Sequence, residues 1–137
     1  MSPRSPTQPK FAAQLVGHWV VERAIVNVRT GQSGEFRGTA TITRDSWTEH
    51  GRLTFGAYDG PAGRHLKLDG DLVTFADGRP FHRLAQRAEH RCGDDLYVAE
   101  YRVLHPDAFD IVWTVTGADK HQRLASAYRR ATVTRKF

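Results

Sequence analysis

An antiparallel up-and-down β-barrel of about eight to ten strands, preceded by one short helix, is the all-β fold this sequence predicts. Beyond residue 16 no stretch sustains the 3.6-residue apolar period of an amphipathic helix. Apolar and polar residues alternate instead, as they do where successive side chains point to opposite faces of a strand. Turn-forming residues also recur roughly every 8–12 positions. A meander of that many short strands exposes two sheet edges unless it closes on itself, and closure makes a barrel.

The elements follow in order. Residues 1–9, MSPRSPTQP, are rich in Pro and Ser and read as a disordered lead-in, and residues 10–137 as a single barrel domain. Residues 10–16 place Phe11, Leu15 and Val16 on one side of a short helix. Strands are expected at 18–29, 35–44, 46–55, 63–69, 71–76, 80–86, 88–92, 95–104, 109–116 and 122–133. Between them stand Thr30-Gly31-Gln32-Ser33-Gly34, Tyr58-Asp59-Gly60-Pro61, Asp69-Gly70, Asp77-Gly78, Gly93-Asp94-Asp95, His105-Pro106-Asp107 and Gly117-Ala118-Asp119. Their Asp and Gly residues tolerate the positive φ of tight hairpins.

Composition narrows the function. A chain of 137 residues suits one domain, and a domain of that size buries enough surface to fold without staples. Its single cysteine excludes an internal disulfide and a zinc cage of paired Cys-x-x-Cys units. No apolar run reaches the ~18–20 residues of a membrane span, and the first ten residues lack the apolar core of a signal peptide, so a cytoplasmic location is expected. The formal charge is +5, but its arginines are spread along the chain, with one dense group at Arg129, Arg130, Arg135 and Lys136. Even spacing describes a solvated surface rather than the concentrated stripe of a nucleic-acid binder, and a small molecule is the expected partner. There is no phosphate-cradling glycine loop, Gly-x-Ser-x-Gly elbow, His-Glu-x-x-His or dinucleotide fingerprint.

Val16-Gly17-His18-Trp19 resembles the Gly-x-Trp signature that opens the first strand of lipocalins and other calycins. The resemblance implies a short helix ahead of the motif and a Trp packed across the barrel bottom against an Arg of the last strand, here Arg123, Arg129 or Arg130. The lipocalin Thr-Asp-Tyr turn and disulfides are missing, which points away from secreted transport. The chain as a whole is similar to an uncharacterised family of small lipocalin-like bacterial proteins. The matching stretches are Leu15-Val16-Gly17-His18-Trp19 with Glu22-Arg23, residues 75–82, residues 89–97, and Trp113-x-Val115-x-Gly117-x-x-Lys120. That family implies the fold and leaves the activity open.

Alternation places Arg23 on the face of Trp19 and Val21, and Glu49 among Trp47, Leu53 and Phe55. It also groups Tyr97 with Tyr101, Phe109 with Trp113, and Tyr128 with Arg130. The expected interior is therefore aromatic with charges mixed in. Buried charges either pair with one another or line a wet cavity. The first reading is thus a small-molecule barrel for a partly apolar anionic ligand. Its candidate ligand-binding residues are Arg23, Trp47, His82, His90, Tyr97, Tyr101, Trp113, Lys120, Tyr128 and Arg130. Lys120 would act with Arg79 at the barrel mouth, holding a carboxylate or phosphate.

The alternative is an enzyme on the same barrel, an isomerase, a cyclase or a metal-assisted catalyst. Glu49 or His82 would be its general acid/base and Cys92 a thiolate. His90 and Cys92 lie two apart on one strand. If 80–86 and 88–92 pair as a hairpin, His82 joins them as a third ligand for a transition metal. A haem held by one histidine is the other cofactor weighed. His18, His50, His65, His105 and His121 are read as exposed.

Overall fold

The structure, a computed structural model, describes residues 7–131. One helix, α1 (Thr7–Leu15), leads into ten strands. These are β1 (Gly17–Asn27), β2 (Ser33–Ile42), β3 (Ser46–Phe55), β4 (Tyr58–Asp69), β5 (Leu72–Phe75), β6 (Pro80–Arg83), β7 (Arg87–Cys92), β8 (Asp95–His105), β9 (Ala108–Thr116) and β10 (His121–Arg130). All ladders are antiparallel, and the hydrogen-bonded order is β6-β5-β4-β3-β2-β1-β10-β9-β8-β7. Pairing of β1 with β10 wraps the meander round. Among the described residues no ladder joins β6 to β7, so the barrel is nearly closed, with its seam there.

The expected strands all form, in the expected order, and two element starts move by three residues or more. The helix begins at Thr7, so residues 7–9 are helical rather than part of the lead-in. Pro9 lies in the first turn, where a missing N–H costs no intrahelical bond. Residues 1–6, and the 132–133 end expected for the last strand, lie outside the described residues. Strand β4 starts at Tyr58, because the chain turns at Gly56 (φ 59°) and not at Gly60-Pro61. Pro61 is tolerated there because β5 pairs only with Leu66–Asp69, leaving the first part of β4 as an edge.

Helix α1 closes one end. Leu15 is buried and its carbonyl accepts the Trp19 Nε1–H at 2.8 Å. Arg130 is the arginine that stacks on Trp19, with its guanidinium carbon 4.3 Å from the ring centroid. Gly17 (φ 147°) makes room for it, since a Cβ there would collide with the guanidinium. Above this closure Trp19, Trp47, Phe109 and Tyr128 pack edge-to-face and face-to-face with almost no exposure. Large aromatic groups of this kind carry most of the apolar burial in so small a core.

Candidate functional site

The inward-facing side chains change character along the strands. On β1, Trp19 and Val21 are buried, whereas Arg23, Ile25 and Asn27 are partly exposed. On β3 the change comes between Glu49 and Gly51, on β10 between Ser126 and Leu124, and on β8 between Ala99 and Tyr97. The half of the barrel next to α1 is therefore packed solid, and the other half opens as a cup. Just above the packed part the inward residues of the β3–β4 wall are small, Gly51 on one strand and Ala62 and Gly60 on the other, with the Phe36 ring packed over Gly51 and the Tyr58 ring over Gly60. Higher up, Ile25, Asn27, Leu53, Phe55, Tyr58 and Gln122 line a pocket of about 320 Å³ at the mouth. That is the low end of the range for small-molecule sites.

The floor of the cup is polar. Glu49, 1% exposed, accepts from Arg23 at 2.9 Å on one oxygen, and from Trp47 Nε1 (2.9 Å) and the Tyr128 hydroxyl on the other. Arg23 also donates to Ser126 Oγ (2.6 Å) and the Tyr128 hydroxyl (2.9 Å). Arg64, directly across from Glu49 in the β3–β4 ladder, brings its Nε within 3.4 Å of the same carboxylate. Burial pushes the Glu49 carboxyl up, but Arg64, Arg23 and the Tyr128 hydroxyl together hold it below the ordinary carboxylate range. Burial pushes the Tyr101 and Tyr128 phenols up, so both stay neutral hydrogen-bonding groups.

Arg64 is the informative member. It occupies an inward position between Ala62 and Leu66, yet 36% of its side chain is accessible while its Nε is buried without a hydrogen bond. An arginine pointing into a barrel keeps that much accessible surface only if space for water or a ligand reaches it. Beside it His82, 6% exposed, shares a 2.8 Å hydrogen bond between Nε2 and the Tyr101 hydroxyl, and its buried Nδ1 has no partner. Burial, with the nearby Arg64 and His90, pushes the His82 pKa down to about 3, so the ring is neutral. Among these floor groups, two guanidinium charges face one carboxylate, and a surplus of one positive charge remains.

The seam is closed by rings. Phe81 stacks on Trp113 (centroids 5.1 Å apart, 4° between planes) and on Phe75 (4.6 Å, 24°). His90 meets Phe75, Phe81 and Tyr97 edge-on at 5.9, 5.2 and 5.8 Å. These contacts tie β5 and β6 to β7, β8 and β9 where backbone bonding stops.

The predicted residues thus divide. Arg23, Trp47, Glu49, His82, Tyr101 and Tyr128 come together at the floor, while His90, Tyr97 and Trp113 stand in the upper wall. Arg130 lies at the closed end, where its three nitrogens donate to Asp107, the Val16 carbonyl and the Pro106 carbonyl. It borders an outer hollow of about 430 Å³ beside α1, but its donors are already engaged. Lys120 is paired with Asp95 at 3.0 Å and Arg79 with Asp77 at 2.7 Å, so the two mouth cations are neutralised in place.

The metal set His82, His90 and Cys92 is corrected. Strand β6 pairs with β5 and β7 with β8, so the hairpin that would gather the three does not form. Cys92 is exposed at the far end of β7. Among the described residues no three His, Cys, Asp or Glu side chains are grouped to hold a metal ion. Glu49, bonded on both oxygens and held below the ordinary carboxylate range, is a weak base. Arg64 was missed, although Ala62, Arg64, Leu66 and Leu68 share one face of the strand by simple alternation.

The sequence comparison bears on the same region. The family described as "Family of unknown function (DUF6314)" matches residues 15–130. The chain belongs to this family. No curated protein matches it. Among solved structures, the DUF6314 chain is similar to an S-type phycobiliprotein lyase from Guillardia theta. The TM-score is 0.63 at 10% identity, over 96% of this chain and 100% of that one. A DUF3598-family protein of unknown function from Nostoc punctiforme gives 0.55 at 11% identity, over 88% of this chain and 49% of that one. At such identities the likeness is one of fold.

Proposed function

We propose that this protein is a small-molecule-binding barrel whose ligand enters the open end with an apolar body and an anionic head. The observation that carries the reading is Arg64, an inward side chain that is 36% accessible and whose charge Glu49 neutralises only in common with Arg23. Burying such a charge unpaired is costly, and an anion from outside removes the cost. The wall above it supplies the apolar contact through Ile25, Leu53, Phe55 and Leu124. Of the sequence-derived candidates, Arg23, His82 and Tyr101 would face the head, with His90, Tyr97 and Trp113 along the body. A packed polar cluster with an accessible arginine fits binding better than catalysis, because Glu49 is held ionised and Cys92 is exposed at the end of β7, away from the floor groups.

Titration with the fluorescent probe anilinonaphthalene sulfonate tests this. One probe should bind per chain with enhanced emission. Leu53→Arg, which places a long charged side chain across the mouth, should remove at least nine-tenths of that signal while the far-ultraviolet circular dichroism is unchanged. Undiminished probe binding by a folded Leu53→Arg variant would overturn the proposal.

A further inference from the structure

Taking the cup as a ligand site, we infer that its natural occupant carries a single negative charge, as medium-chain and aromatic carboxylates do, and that the floor discriminates against dianionic phosphate esters and neutral analogues. The inference rests on the functional reading above and adds the charge and head-group class. It follows from counting the groups that face the floor. Arg23 comes from β1, Glu49 from β3, Arg64 from β4, His82 from β6, Tyr101 from β8, and Ser126 and Tyr128 from β10. Only the two arginines and the glutamate are charged, because His82 and the two phenols are held neutral.

One added negative charge brings the floor to neutrality. A dianion overshoots by one charge in a region where unpaired charges are costly, and a neutral head leaves Arg64 as it was. The donors suit the same head. His82 Nε2 and the Tyr101 hydroxyl share one hydrogen bond, and the other ring nitrogen, Nδ1, is buried without a partner. A guanidinium fork matches the two oxygens of a carboxylate, and Arg64 is the floor guanidinium with an unbonded nitrogen.

The test is calorimetric titration of the whole protein at pH 8 with three probes of one chain length: octanoate, octanol and octyl phosphate. The phosphate ester is doubly charged there, since its second pKa is about 6. The wild-type protein should bind octanoate at least tenfold more tightly than either of the others. Arg64→Gln should bring octanoate and octanol within about threefold of each other. Glu49→Gln leaves two unopposed guanidiniums and should reverse the order of octanoate and octyl phosphate. Equal affinity of the wild type for octanoate and octyl phosphate overturns the charge inference while leaving the cup as a binding site. So does an octanoate preference that survives Arg64→Gln. If none of the three binds, the functional reading falls with it.

Discussion

Glu49→Gln is the sharpest test of the polar floor as a structural unit. The substitution removes the charge that faces Arg23 at 2.9 Å and Arg64 at 3.4 Å. It also turns one of two acceptor oxygens into a donor, so Trp47 Nε1 and the Tyr128 hydroxyl compete for what remains. Breaking a buried ion pair by removing one partner costs about 3–5 kcal/mol. Glutamine keeps one acceptor and Arg64 is partly solvated, so we expect about 3–4 kcal/mol. A chain of this length has roughly 7–20 kcal/mol of folding stability, so the variant should still fold. Urea unfolding followed by tryptophan fluorescence reads the change as a lower midpoint with an unchanged slope.

The pH dependence supplies a second, independent reading. The folded carboxyl lies below its ordinary value of 4.5. Its contribution is therefore complete above that value and is lost as pH falls through the folded pKa. The gap between wild type and Glu49→Gln should be full at pH 7 and should close as pH drops below about 4.5. A difference under about 1 kcal/mol at pH 7 would refute the reasoning. A gap unchanged down to pH 3 would refute it too.

Other expectations are independent of that one. In a histidine-ring NMR titration from pH 8 to 5, His82 should show no protonation shift, because its folded pKa is near 3. Its unfolded counterpart takes up a proton near 6.5, so His82 makes the fold less stable as pH falls from there toward 3. Arg130→Met should lower stability by about 2 kcal/mol through lost hydrogen bonds and stacking on Trp19, with probe binding at the opposite end unchanged. Arg64→Gln should change stability by less than about 1 kcal/mol, since its partner Glu49 keeps Arg23, Trp47 and Tyr128. Cys92 should react with a thiol reagent in the absence of denaturant, and Cys92→Ser should cost no more than about 0.5 kcal/mol.

Much of the fold was legible because β-strands advertise themselves locally. Alternation and Asp-Gly turns located every strand, and the Gly17-x-Trp19 pattern pointed to a closing arginine that proved to be Arg130. What alternation lacks is depth along the barrel axis. It put Trp47, Tyr97, Trp113, Tyr128 and Arg130 on inward faces without distinguishing the packed end, the floor and the mouth. It is also blind to pairing partners. His82 and Cys92 looked close because their strands are consecutive, but consecutive strands 6 and 7 are the ends of this ladder. The Tyr58-Asp59-Gly60-Pro61 signal misled for a related reason. A proline is a turn residue in a central strand and an ordinary one at an unpaired edge.

The position of the floor explains why it combines strong pairing with an opening. Along β3 the inward residues run Trp47, Glu49, Gly51 and Leu53, and along β4, read toward the mouth, Leu66, Arg64, Ala62 and Gly60. Each strand thus goes from large to charged to small within three inward steps. Below the charges, Trp47 and Leu66 exclude water, which strengthens every interaction of Glu49. Above them Ala62 leaves space beside Arg64, 36% of whose side chain stays accessible, while the Phe36 ring packs over Gly51 and the Tyr58 ring over Gly60. Filling that space separates the two roles. Ala62→Leu should leave the Arg23–Glu49–Tyr128 cluster and its acid sensitivity intact, while at least tenfold weaker octanoate binding follows from loss of access to Arg64. If octanoate binds folded Ala62→Leu as it does the wild type, the space above Arg64 is not where the ligand sits.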